Sequence, residues 1–231
     1  MVIALGQFSM IQLLSDFKLM ALNRNELHEL NRKNCNYLHD SGWGIVLGKS
    51  GSLEEFYKKD VACWKDPRFH EYYNTKPDFV IVHARKASRG SPINLSFTHP
   101  FEREGWYFCH NGTINQFLAE DKSDSEEFFD LLLSKIKKPN EVKEAIRKAI
   151  NEIKEYTALN FILANKAYAY ILVKYLKYPR YYSMKYLQNE HCFIVSSEIL
   201  PNFQGKWEKI ANNTLLKLDI SNRAFEIISI E

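Results

Sequence analysis

Four short clusters carry residue types that could do chemistry. The first is Phe108-Cys109-His110-Asn111-Gly112-Thr113, where the apolar run from Trp106 to Cys109 meets Asn-Gly. The run reads as a buried strand, and Asn-Gly suits a turn that needs a positive φ. A turn at a strand end leaves backbone N–H groups and an amide side chain pointing into space. Such preformed donors can hold an oxygen that gains charge in a transition state. Taken alone, Asn-Gly is better read as a plain hairpin turn. The second cluster is His83-Ala84-Arg85-Lys86-Ala87-Ser88-Arg89-Gly90, at the end of an apolar run from Asp78 to His83. A guanidinium there can grip a carboxylate through its planar fork, although an isolated Arg is more often a surface charge. The third is Asp124, inside Ser123-Asp124-Ser125-Glu126. An acid in a first helical turn complements the helix dipole, and it can also receive an ammonium group. The fourth is His39-Asp40-Ser41-Gly42-Trp43-Gly44. A His-Asp pair suggests acid–base work, but neighbours on a strand face opposite ways. The two glycines read better as sites of close backbone approach.

Spacing and composition exclude other chemistries. His70, His83, His99 and His110 show no HxxxH or HxH pattern, so they read as satisfied or exposed side chains rather than metal ligands. Cys35, Cys63, Cys109 and Cys192 lack CxxC spacing, which leaves free thiols. Cys109 lies in an apolar strand and reads as packed, without the base a nucleophilic thiol needs. The GxSxG elbow of serine hydrolases is missing. A net charge of +3 over 231 residues, with mixed signs and no basic aromatic tract, argues against nucleic acid. No apolar segment is long enough for a membrane span, and the N-terminus lacks a signal-peptide pattern. A cytoplasmic protein with no cofactor is expected.

The elements that must position these clusters follow from periodicity. Met1 to Phe8 reads as a strand. Ser9 caps a helix to about Asn23, with Met10, Leu13, Leu14, Phe17, Met20 and Ala21 at helical spacing. Residues 24–40 are loop-like, and Gly42 to Gly48 is a strand ended by Lys49-Ser50-Gly51. Glu54 to Tyr73 suggests short helices around Pro67. Arg85 to Glu104 is a long loop, of the kind that often carries function. A short helix should follow Gly112. Ser123 and Glu126 have capping-box spacing before Phe128, Phe129, Leu131 and Leu132. A second helix runs from about Asn140, with Val142, Ala145, Ile146, Ala149, Ile150 and Ile153 on one face. Strands are then expected at 160–164, 168–176, 180–184, 192–196, 214–218 and 224–228, joined mostly by hairpins. With no repeat or linker, the chain reads as one domain over 1–231. Its class is α+β, a four-layer αββα sandwich of two antiparallel sheets.

Together and in this order, the clusters resemble the class II glutamine amidotransferase domain, an N-terminal-nucleophile hydrolase. The family pattern is His-x-Arg at a strand end with a Gly soon after, as in His83-Ala84-Arg85 and Gly90. His-Asn-Gly follows at the next strand end (His110-Asn111-Gly112), then an Asp at a helix start (Asp124). Gly42-Trp43-Gly44, Thr98-His99-Pro100-Phe101 and Ile194-Val195-Ser196-Ser197-Glu198, with Trp207 and Asn213, resemble the compact stand-alone branch. That branch includes members that hydrolyse γ-glutamyl amides. The resemblance implies that Arg85 holds a substrate α-carboxylate and Asp124 its α-ammonium. Asn111, through its side chain, and Gly112, through its N–H, would form the oxyanion hole, and Ser88 would line the glutamine pocket.

The departure is at the N-terminus. The family begins Met-Cys, and the exposed Cys is both nucleophile and base. Here Val2 stands at that position. Losing the nucleophile of such a unit costs ~10⁶ in kcat and leaves ~10³–10⁴ over water. Three readings follow. The chain could be a glutaminase or γ-glutamyl amide hydrolase whose nucleophile is lost by substitution or a different start. It could be a nucleophile-less relative that binds glutamine-like ligands or regulates a partner. It could also keep the fold for an unrelated interaction, which the retained Arg85, Asn111, Gly112 and Asp124 oppose. The expected partner molecules are glutamine or a γ-glutamyl compound and, for a transferase role, a separate ammonia-accepting synthase subunit.

Overall fold

The first strand, β1 (Val2–Gly6), requires cover on both faces. Alternation sends Val2 and Ala4 to one side and Ile3 and Leu5 to the other, and all four are buried. A strand of this kind belongs in the middle of a sandwich. The structure is a computed structural model that describes residues 1–31, 37–49, 51–88, 90–117, 122–138 and 141–230.

β1 lies inside a seven-stranded sheet. It pairs with β4 (Phe79–Ala84) on one edge and β10 (Cys192–Ser196) on the other. Beyond β4 come β2 (Trp43–Lys49) and β3 (Ser52–Lys59), and beyond β10 come β9 (Lys185–Gln188) and β11 (Trp207–Lys209). The second sheet has six strands. In order these are β13 (Phe225–Ser229), β12 (Thr214–Asp219), β8 (Tyr168–Val173), β7 (Tyr156–Ala164), β6 (Trp106–Ile114) and β5 (Phe101–Arg103). Every strand pairing among the described residues is antiparallel.

Three apolar layers join these sheets to the helices. Leu13 and Phe17 of α1 (Met10–Ala21) and Phe69 of α2 (Pro67–Glu71) pack on Val2, Ile45, Val80 and Val82. Between the sheets, Ile3, Leu5, Ile81 and Phe193 meet Cys109, Ile162, Ile171 and Leu216. On the far side, Phe128 and Phe129 of α3 (Asp124–Lys135) and Ile146 and Ile150 of α4 (Val142–Glu152) cover Phe108, Phe161 and Leu172. The fold is the expected four-layer αββα sandwich. Caps form where the sequence places them: Ser9 Oγ accepts from Gln12 N–H (3.4 Å) and Ser123 Oγ from Glu126 N–H (3.1 Å).

Several local expectations are corrected. Ser52–Lys59 is an edge strand, not a helix. It reads as mixed because an edge strand exposes charged residues such as Glu54 and Lys59. The loop from Arg85 holds a 3₁₀ turn, Leu95–Phe97, and the short strand β5. Residues 180–184 are not a strand. Pro179 starts a single helical turn, α5 (Pro179–Tyr182), after the left-handed Tyr178, and β9 begins only at Lys185. The strand ending at Cys109 instead runs on through Asn111 and Gly112 to Ile114, with a register shift after Gly112. Gly112 has no positive φ, so it does not make the expected turn. The start of the second helix at Asn140, Cys35, Arg89, Ser50 and part of the short helix after Gly112 lie outside the described residues. No helix among the described residues is long and apolar enough to cross a membrane.

Candidate active site

The ends of β1, β4 and β6 and the start of α3 converge on one cavity. Arg85, Ser88, Asn111, Gly112 and Asp124 all line it. Arg85 follows directly on β4 and is buried. Its Nη1 donates to the Pro92 carbonyl (2.9 Å) and its Nη2 to Ser91 Oγ (2.7 Å), while Phe97 lies 5.7 Å beneath the guanidinium. Burial lowers its pKa, opposed by the charge of Asp124, and a guanidinium stays cationic. The long loop therefore acts as a brace for this cation.

Asp124 is aimed by two backbone donors. Ile114 N–H meets Oδ2 at 2.8 Å and Ser125 N–H meets Oδ1 at 2.8 Å. The first donor is available because β6 leaves its register beyond Gly112. One irregularity thus shifts the ladder, which resumes at Ile114 and Tyr156, and fixes the carboxylate. Asn111 pairs with Asn160 on β7 and is half-buried, and its side-chain amide has no partner among the described residues. Gly112 is required by close approach, since a Cβ there would collide with the Ala158 carbonyl and sit 2.7 Å from His110 Nε2. At Gly44, as expected, a Cβ would come within 2.5 Å of the His99 carbonyl.

Val2 is placed differently. Its side chain is fully buried against α1, and it is not among the cavity residues. Met1 lines the cavity instead. Its amine contacts Ser197 Oγ at 3.2 Å, and burial lowers that amine's pKa to about 6, with Cys109 and Glu198 opposing. Cys109 is buried in the layer between the sheets, and burial pushes its thiol pKa up.

Sequence reasoning missed most of the remaining wall. Five of the chain's seven histidines line the cavity: His28, His39, His83, His99 and His110. Burial holds His39 near about 4, with the Met1 amine adding to the shift, and drives His83 and His99 well below the ordinary value. The His83 and His99 rings lie 4.5 Å apart. Tyr37 and Tyr181 complete an aromatic side, with centroids 5.5 Å apart. Glu26 and Glu198 lace two loops together: Glu198 accepts from Glu26 N–H and Glu26 from Ile199 N–H, both at 2.8 Å. Lys185 meets Glu26 at 2.6 Å. His–x–His spacing could not reveal a cluster assembled from separate loops and strands. Among the described residues no group of three or more His, Cys, Asp or Glu could hold a metal ion.

The sandwich with a cavity at its strand ends has solved counterparts. A glutamine phosphoribosylpyrophosphate amidotransferase from B. subtilis is 14% identical with a TM-score of 0.66, over 100% of this chain and 49% of that one. A glutamine aminotransferase class-II domain protein from Silicibacter pomeroyi is 17% identical, TM-score 0.60, over 83% of this chain and 97% of that one. These likenesses show the fold, two antiparallel sheets stacked between helices. The sequence profile of the class-II glutamine amidotransferases matches residues 19–215, and the chain belongs to that family. Among curated proteins, the γ-glutamyl-hercynylcysteine sulfoxide hydrolase of Mycobacterium tuberculosis is 26% identical over 100 residues. The match spans 43% of this chain and 42% of that relative.

Proposed function

We propose that this chain, as one domain over residues 1–231, binds L-glutamine or another γ-glutamyl amide in the cavity. The observation that carries this is the pairing of a braced, buried cation, Arg85, with an aimed anion, Asp124, around an amide, Asn111, that has no partner among the described residues. A glutamyl group is a zwitterion with a carbonyl at its far end. Arg85 takes the α-carboxylate and Asp124 the α-ammonium, with Ser88 beside the entering chain. The Asn111 amide and Gly112 N–H point donors at the γ-carbonyl oxygen. The γ-glutamyl substrate in the relative's name supports the same ligand class.

Turnover by the mechanism of this family requires a thiol at the cavity, and neither Val2 nor Cys109 supplies one. Val2 has none and faces α1, while Cys109 is packed with its thiol protonated. The second reading, a glutamine-binding protein that regulates a partner without hydrolysis, is favoured by this one observation. A cytoplasmic location and, for any transferase role, a separate synthase subunit complete the proposal.

Calorimetry with L-glutamine tests it. Binding should be millimolar or tighter. Arg85→Ala should weaken it about tenfold or more, as expected for a lost hydrogen-bonded charge. A native chain that ignores L-glutamine and γ-glutamyl amides alike would refute both readings.

A further inference from the structure

We infer that His110 and Ser125 are positioning residues that keep one oxygen of the Asp124 carboxylate open for a ligand ammonium. This rests on the reading of Asp124 given above. His110 is buried on β6, and its Nε2 lies 3.2 Å from the Ala158 carbonyl. A carbonyl oxygen can only accept, so Nε2 carries the proton of the neutral ring. Nδ1 is then bare, and it lies 2.9 Å from Ser125 Oγ. Ser125 has one hydroxyl proton and two acceptors within reach, His110 Nδ1 at 2.9 Å and Asp124 Oδ1 at 3.3 Å. The tautomer imposed by Ala158 draws that proton to His110. Among the described residues Asp124 Oδ1 then keeps only the Ser125 backbone N–H, and its remaining lone pair is left for the ligand.

Without an acceptor at Nδ1 the hydroxyl proton turns onto Asp124. The carboxylate then gains an internal donor, and a ligand ammonium must compete with it. Protonating His110 has the same effect, because Nδ1–H would donate to Ser125 Oγ and force the hydroxyl the other way. Charged and titratable groups face His110 from three sides: Asp124 on α3, His83 on β4, which meets the His110 carbonyl, and His99 before β5. Burial is the largest influence on His110 and keeps it neutral near pH 7, against the pull of Asp124. The Phe108 and Phe128 rings pack against it with centroids at 6.4 and 5.6 Å.

Two measurements test the relay. In protein labelled with ¹⁵N-histidine, His110 should resonate as the Nε2–H tautomer. Ser125→Ala should shift its Nδ1 signal, and Ser125→Thr, which keeps a hydroxyl, should restore it. In calorimetry at pH 7.5, His110→Phe should weaken L-glutamine about tenfold, and adding Ser125→Ala to it should recover most of that loss. A purely structural role for His110 would give no such recovery. An Nδ1–H tautomer, or a His110→Phe defect that Ser125→Ala leaves in place, overturns the inference. Should His110→Phe fail to fold, the tautomer and its response to the two Ser125 variants still decide. A native chain that does not bind L-glutamine would instead refute the functional reading, with the tautomer readout unaffected.

Discussion

At the scale of single residues, the start of β1 decides which side chain reaches the cavity. Met1 fills part of the cavity, and the side chain of residue 2 faces α1. A thiol introduced by Val2→Cys therefore gains nothing while Met1 remains. Removal of Met1 would open that space and leave the new thiol beside its own free amine, as a nucleophile of this type requires. Ammonia release from L-glutamine should appear only in the processed Val2→Cys chain, with the N-terminus verified by mass spectrometry. Inactivity of a verified, processed chain would show that more than the nucleophile is missing. The charged and amide residues of the cavity were legible in the sequence because their order matches a family pattern, while each alone read better as a surface charge, a turn or a helix cap. Arg85, Asn111, Gly112 and Asp124 could be named before any coordinates. The direction of Val2 was not, since a strand buried on both faces gives no alternation to read.

At the scale of elements, β6 carries the site because it is irregular. A regular strand would have paired Ile114 N–H within the ladder. The register shift after Gly112 delivers that N–H to Asp124 instead. Gly112 is what permits it, because the Ala158 carbonyl and the His110 ring occupy the space of a Cβ. Gly112→Ala should lower stability by about 1–3 kcal/mol through overpacking and weaken L-glutamine as well. The control is Gly105→Ala at an open position, where only the positive φ is strained. Equal melting temperatures for Gly112→Ala and the native chain would refute the close-approach account. Sequence reasoning found this segment but gave it the wrong geometry. Asn-Gly is common in tight turns, and nothing local distinguishes a turn from a bulged strand that a neighbouring carbonyl presses upon. The same limit hid β3, whose charged outer residues mask its period of two, and α5, where Pro179 starts a turn inside an aromatic run that reads as strand. Elements with a clean apolar face, such as α1 and α4, were legible because burial of that face dominates their stability.

At the scale of the whole molecule, a cavity walled by buried neutral histidines makes stability depend on pH in a definite direction. His39, held near about 4 by burial, and His83 and His99, held well below their ordinary 6.5, all bind a proton in the unfolded chain before they do in the folded one. Where the unfolded state binds more protons, stability rises with pH. These three groups therefore contribute stability that is complete above about pH 6.5 and is lost as pH falls toward 4. Each adds a slope that starts at about half of 1.4 kcal/mol per pH unit at pH 6.5 and approaches about 1.4 as the unfolded ring becomes fully protonated. Asp16 and Glu198 act in the opposite sense, because burial raises their folded pKa values and the folded chain keeps protons that the unfolded chain releases. Their opposition opens at the unfolded values, 3.8 and 4.5, and runs up to the raised folded ones, and the three histidines outnumber these two carboxyls. From pH 6.5 to 5.5 the urea midpoint should fall by an amount worth about 3 kcal/mol from the three histidines together, since each unfolded ring goes from half to almost fully protonated. His39→Gln should flatten the profile by about one proton, because the glutamine amide can accept its place near the Ala84 carbonyl without titrating. A midpoint that is constant or rises on acidification would mean that these rings are charged, or open to water, in the folded protein.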